Sequence, residues 1–250
     1  MIIREIEAKS ILNASKIHDF CVNPYTGCGV GCLYCYARLF IPRYSGHAEP
    51  WGTFVDAKVN APDVLRRQLK RAKPGNVWVS SVCDPYQPVE KRFGLTRRCL
   101  EALLEAGRAV LIQTKSARIL ADLALIRRFP DARVTFSIAT EDEAIAGRFE
   151  LGASPVAERI AALARLHEAG VKTAAFIGPI LPGNPERLVE RLAGVIDEAL
   201  VDRLNYVYQV RGIYERLGLG AALTDAFFRE RRERYARALA RQGIPFQLLF

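Results

Sequence analysis

Long apolar runs are missing from this chain; none approaches the roughly 20 residues that a bilayer-spanning helix needs. The opening segment MIIREIEAKS has no apolar signal-peptide core. The expectation is a cytoplasmic protein with no membrane partner. No low-complexity tract, long linker or internal repeat divides the 250 residues, so one domain is expected. Histidine is scarce, at three, and none stands at a zinc-ligand spacing from the cysteines. The six cysteines, in a reducing compartment, do not make a disulfide framework. Their clustering argues instead for metal or redox chemistry.

Charge is plentiful and one-sided. The formal net charge is +9, and 28 of the 36 basic residues are arginine. The planar guanidinium binds phosphate oxygens two at a time, so the balance fits a nucleic-acid partner. It fits solvated helix faces equally well. The densest run, RERRERYAR at 229–237, lies on a helix whose other face carries Phe227, Phe228, Tyr235 and Leu239.

Short β-branched runs alternate with longer amphipathic stretches. Strands are predicted at 20–23, 77–82, 110–114, 134–139, 173–177 and 205–208. Helices are predicted at 33–40, 61–72, 95–106, 117–128, 156–169, 185–200 and 223–241. In EALLEAG, Ala102, Leu103 and Ala106 recur at helical spacing; Gly107 then ends the helix before AVLIQT. Gly170 does the same before VKTAAFIG. This grammar predicts a parallel α/β fold, an open, partial (β/α)6 barrel of the TIM type, since about six units fit rather than eight. Residues 19–210 form the expected barrel core, 1–18 an N-terminal extension and 211–250 a C-terminal helical extension. Chemistry in such folds gathers at the carboxyl ends of the strands.

Directly after the first predicted strand comes YTGCGVGCLYCYAR (25–38), with Cys28, Cys32 and Cys35 spaced C-x3-C-x2-C. Gly27, Gly29 and Gly31 allow a tight loop and leave amides free to donate to cluster sulfides. Zinc prefers a closed set of four ligands, and no second C-x2-C pair exists. Cys21, within the strand, reads as a buried inert thiol rather than a fourth ligand, and Cys99 as a core residue. A 4Fe–4S cluster on three thiolates leaves one iron open to a small chelating ligand.

C-x3-C-x-aromatic-C, with Tyr34 as the aromatic, resembles the signature of the radical S-adenosylmethionine (SAM) superfamily. The resemblance implies that the open iron chelates SAM and that reductive cleavage yields a 5′-deoxyadenosyl radical, which abstracts hydrogen from a substrate. NPYTGCGVGCLYCYAR (23–38), SSVCDPYQPVE (80–90), QTKS (113–116) and FIGPILPGN (176–184) together resemble the spore photoproduct lyase-like branch, the DNA repair photolyase-like group. The resemblance covers most of 19–184 and weakens beyond. It implies that Lys115 meets the SAM carboxylate and Ser137 the ribose or methionine group. Gly178 and Gly183 let adenine approach, Tyr34 flanks cluster or adenine, and Tyr36 faces substrate. Asp84 or Glu90 is a candidate partner of the methionyl amine. Cys83 is the candidate hydrogen-atom donor; if Asp84 aligns in its place, Ser81 takes that position. A flavodoxin or ferredoxin would supply electrons, and a nucleic-acid base is the substrate implied. The chain is short for such a lyase and shows none of its substrate-specific DNA segments. A peptide or small-molecule substrate therefore stands beside nucleic acid, and a non-catalytic metal-stabilised nucleic-acid-binding protein is the rival from another class.

Overall fold

The computed structural model describes residues 1–250. Its strands are β1 (Ile2–Ile6), β2 (Leu12–Ala14), β3 (Phe20–Val22), β4 (Tyr25–Thr26), β5 (Phe54–Lys58), β6 (Val77–Val79), β7 (Val110–Thr114), β8 (Ala132–Ser137), β9 (Lys172–Ile177), β10 (Glu198–Val201) and β11 (Phe246–Leu248). Eight form one sheet in the order β11-β10-β9-β8-β7-β6-β3-β2, parallel throughout except at β2. The sheet does not close on itself. β1, β5 and β4 form a second sheet in the order β1-β5-β4. The partial barrel is thus the observed fold, and its six β-then-α strands are β3, β6, β7, β8, β9 and β10.

The central strands are buried on both faces, as parallel strands covered by helices must be. Val134 to Ser137 of β8 are all buried, and so are Thr173 to Ala175 of β9. Helix Leu95–Glu105 covers the sheet with Cys99, Leu100, Ala102 and Leu103. Ala106 is exposed, so the predicted stripe is shifted toward the helix start. Gly107 and Gly170 follow their helices at φ +63° and +79°, the left-handed turn predicted for them.

Several predicted elements move. The sixth strand is β10, not 205–208; the helix expected at 185–200 ends at Leu192, where Ala193 turns extended (ψ 131°) and Gly194 takes φ +76°. Residues 205–208 instead lead into helix Val207–Arg216. The helix predicted at 33–40 is a 3-10 turn, Tyr36–Leu39, followed by the short helix Ile41–Ser45. That predicted at 117–128 is a 3-10 stretch, Ala117–Asp122, with one α turn after it. β6 stops at Val79 because Ser80 takes φ +64°, which no strand residue does.

Beyond the core, β11 pairs in parallel with β10. Helix Asp225–Arg241 packs on helix Pro185–Leu192, where Arg234 meets Glu186 through Nη2 at 2.5 Å and Nε at 3.0 Å. That pairing, with help from backbone donors, lowers the Glu186 carboxyl to about 2. A depressed carboxyl contributes stability above its unfolded pKa and loses it as pH falls through the folded value. Glu186→Gln is expected to cost no more than about 1 kcal/mol at neutral pH, because the pair is part-exposed. In denaturation midpoints measured against pH, the wild-type advantage should shrink between about pH 4.5 and 2.

Candidate metal and cofactor site

β3 ends at Val22, and the chain passes through Asn23 and Pro24 into the thiol-bearing loop. Gly27 is its tightest point. Its φ is +82°, and a Cβ there would lie 2.5 Å from the Phe54 carbonyl oxygen, so only glycine fits. The Gly29 N–H donates to Gln87 Oε1 at 2.7 Å, and the Gly31 N–H to the Cys28 carbonyl at 3.2 Å. Those two amides hold the loop, which corrects the expectation that they serve sulfides. The Asp84 N–H does reach a sulfur, 3.3 Å from Cys28 Sγ.

Cys28 and Cys32 are buried and Cys35 is half-buried, within an apolar group that includes Val30, Trp51, Cys83 and Ala153. Burial pushes all three thiols up; at Cys32 the cations of Lys115 and Arg159 pull the other way. No three His, Cys, Asp or Glu side chains stand in a metal-holding arrangement. Ligation therefore requires the thiols to turn toward a common centre. Three features fit an iron–sulfur group: a donor set of three soft thiolates, the Asp84 N–H on sulfur, and Trp51 Nε1, a buried donor with no acceptor.

The remaining motifs converge on the same end of the sheet. Asp84, just past β6, accepts from Thr114 Oγ1 and the Lys115 N–H at 2.7 Å each and from the Tyr86 N–H at 2.8 Å. Burial raises its carboxyl, and these donors oppose that rise. Glu90 accepts from the Tyr25 hydroxyl and from the backbone N–H groups of Thr96 (3.1 Å) and Arg97 (3.2 Å). Both carboxylates are engaged by their own chain, so neither is placed as the amine partner that sequence suggested.

Lys115 follows β7, and its Nζ makes no hydrogen bond; it stands 3.9 Å from Glu150 Oε1 and 5.8 Å from the centre of the Tyr34 ring. The Tyr34 hydroxyl donates to that same Glu150 oxygen. Ser137, at the end of β8, is buried and accepts from Gln113 Nε2 at 3.1 Å. Gly178 follows β9; a Cβ there would lie 2.6 Å from the Phe176 ring, so packing within the chain already requires the glycine. Gly183 is likewise crowded by Thr140 and Glu141.

Cys83 packs against the thiol loop, its Sγ 3.7 Å from the Tyr25 carbonyl, and burial pushes its thiol up to about 12. Ser81 is turned to Asn23, whose Nδ2 donates to Ser81 Oγ at 3.1 Å, while the exposed Tyr36 donates to the Ser81 carbonyl at 2.5 Å. Cys21 receives a weak contact from Asn23 Nδ2 at 3.8 Å, and Cys99 is fully buried.

Sequence reasoning missed Glu150 and Arg159. Arg159 Nη1 lies 2.5 Å from Glu150 Oε2 and 3.1 Å from the Ser137 carbonyl, and Nε donates to the Ser154 carbonyl at 2.6 Å. A signal was present: Val156, Arg159, Leu163 and Leu166 share one buried helical stripe, where an arginine needs a partner.

The model of the radical SAM superfamily matches residues 22–196, a span that contains every site residue named above. The chain belongs to the radical SAM superfamily. Membership implies an enzyme that works with SAM and a 4Fe–4S cluster. As a radical SAM protein it is 36% identical over 182 residues to an uncharacterized protein of Methanocaldococcus jannaschii, covering 72% of this chain and 68% of that one. It is 26% identical to the radical SAM Nalpha-GlyT isomerase of Pseudomonas phage M6, over 69% of this chain and 36% of the relative. Two further relatives are matched over 56% of their length. In fold it is similar to spore photoproduct lyase complexed with dinucleoside spore photoproduct: TM-score 0.70 at 17% identity, over 99% of this chain and 82% of the lyase. No helix is long and apolar enough to cross a membrane.

The Asp84 clasp yields a stability prediction. Asp84→Ala strands the Lys115 and Tyr86 N–H groups, and each unmatched buried donor costs about 1–3 kcal/mol. A loss on the order of 3 kcal/mol is expected in urea denaturation, with Asp84→Asn milder because one acceptor oxygen remains.

Proposed function

We propose that Cys28, Cys32 and Cys35 hold a 4Fe–4S cluster whose open iron takes SAM, and that the protein uses it to abstract hydrogen from a nucleic-acid base. The observation that carries the cofactor reading is the meeting of two buried thiols and one half-buried thiol with Lys115, a cation whose N–H groups have no hydrogen-bond partner. When bound, the cluster and SAM together supply the electron transfer and the deoxyadenosyl radical. The chain's own work is to orient and to enclose. Lys115 offers its ammonium to the SAM carboxylate, and Ser137, already fixed by Gln113, offers a hydroxyl to the ribose or methionine group. Tyr34 flanks the site, held there by Glu150. Gly178 keeps the adenine side free of a side chain, and Val30, Trp51 and Ala153 exclude water around the thiols. Cys83, which packs against the loop, would give its thiol hydrogen atom to a substrate radical and be left as a thiyl radical. A flavodoxin or ferredoxin delivers the electron.

The nucleic-acid part rests on charge. RERRERYAR does not carry it, because Arg231, Arg234 and Arg237 are ion-paired with glutamates and Arg232 binds the Phe250 carbonyl. Lys9, Arg67, Lys70 and Arg71, in no ion pair, instead line one hollow of about 370 Å³. The phage isomerase is a sequence relative whose name marks a radical SAM isomerase; the likeness to spore photoproduct lyase is one of fold and does not select the substrate. Peptide or small-molecule chemistry is the reading that survives if nucleic acid is not bound.

Anaerobic reconstitution should give a brown protein with about four irons that forms 5′-deoxyadenosine from SAM. Cys28→Ala, Cys32→Ala and Cys35→Ala should each lose the iron, and Cys21→Ala should keep it. A protein that binds iron yet makes no deoxyadenosine under strong reductant would sink the catalytic reading. Affinity for single-stranded and duplex DNA should fall steeply with salt and weaken in Arg67→Glu and Arg71→Glu. Salt-insensitive or absent binding transfers the proposal to a peptide or small molecule.

A further inference from the structure

Glu150 is a buried carboxylate between two cations. Arg159 Nη1 lies 2.5 Å from one oxygen and Lys115 Nζ 3.9 Å from the other, with the three side chains 1–15% exposed. Arg159 is among the largest side chains buried completely. It is held rigidly by the Ser154 and Ser137 carbonyls, so it cannot swing to water. The buried carboxylate of Asp84 also faces Lys115, so two cations meet two carboxylates in a desolvated place. These charges lie beside the thiol loop: Tyr34, between Cys32 and Cys35, donates its hydroxyl to Glu150 Oε1, and Lys115 Nζ stands 5.8 Å from the centre of its ring.

Charges outside the ligand shell set the reduction potential of an iron–sulfur centre, since adding an electron adds negative charge. Low dielectric makes nearby charges count for more. We propose that Glu150, Arg159 and Lys115 form a charge-balancing unit that sets the cluster's reduction potential, the two cations raising it and Glu150 holding it down. The proposal rests on the cluster reading above. It assigns Glu150 and Arg159 a positioning and electrostatic role, with no contact to substrate. A purely structural role, in which Glu150 only anchors Tyr34 and Arg159, predicts no potential shift of opposite sign when charges of opposite sign are removed.

The test is the midpoint potential of the anaerobically reconstituted full chain without SAM, followed by electron paramagnetic resonance during a reductive titration. Glu150→Gln keeps the shape and an acceptor for Tyr34, and its potential should rise. Lys115→Gln, on a part-exposed side chain, should lower it. Each shift should be about tenfold in the oxidised-to-reduced ratio at fixed applied potential, about 59 mV for one electron. Shifts of the same sign, or both below about twofold, overturn the proposal. If Glu150→Gln fails to fold or to keep iron, Lys115→Gln decides alone: a potential at or above wild type overturns it. A wild-type chain that assembles no 4Fe–4S cluster overturns the cofactor reading and this proposal with it; an intact cluster with unmoved potentials overturns only this one.

Discussion

The site depends on the buried carboxylate of Asp84. It joins the loop after β6 to the end of β7 through Thr114 and Lys115, while its own N–H reaches Cys28 on the loop after β3. Three segments far apart in sequence are registered by one residue. No local preference of those segments could set their spacing, because strand propensity says nothing about where a loop must meet a neighbour. Burying the carboxylate is unfavourable, and the three donors aimed at it are what make it tolerable. Loosening this clasp would displace the thiol loop and the lysine together.

Charge is distributed in two regimes. On the outside, arginines meet glutamates at short range, as Arg234 does with Glu186 and Glu230, and each such pair contributes little alone. Inside, Arg159 and Lys115 share a single carboxylate, and desolvation makes the same charges far more consequential. A net charge of +9 is therefore a poor guide to where the chain meets an anion. Pairing and burial decide it.

The fold was legible where the chain repeats a local rule. Gly107 and Gly170 close helices by left-handed turns, and five of the six predicted core strands overlap observed ones. The sixth was misplaced because an apolar, helix-compatible run (DEALV) continued the pattern of PERLVERL across Ala193 and Gly194. β5 was missed; its side chains from Phe54 to Ala57 are all buried, a placement set by pairing with β1 and β4. At the site, the cysteine spacing and the four strand-end motifs could be read directly. Glu150 could not, since its hydrogen-bonded partner Tyr34 lies 116 residues away. Asp84 was noticed, but as a ligand-facing acid; only its three internal donors show that it holds the scaffold.

These constraints act in a fixed order. Gly27 allows the loop to press against Phe54, and that closeness shuts the thiols in with Val30, Trp51 and Ala153. Enclosure removes water, and without water the Lys115 cation, 5.8 Å from the Tyr34 ring of the thiol loop, is screened less. The electrostatic character of the site is thus a consequence of a backbone angle and an apolar wall. A change that opened the wall while leaving every charge in place would weaken the field as surely as removing Lys115.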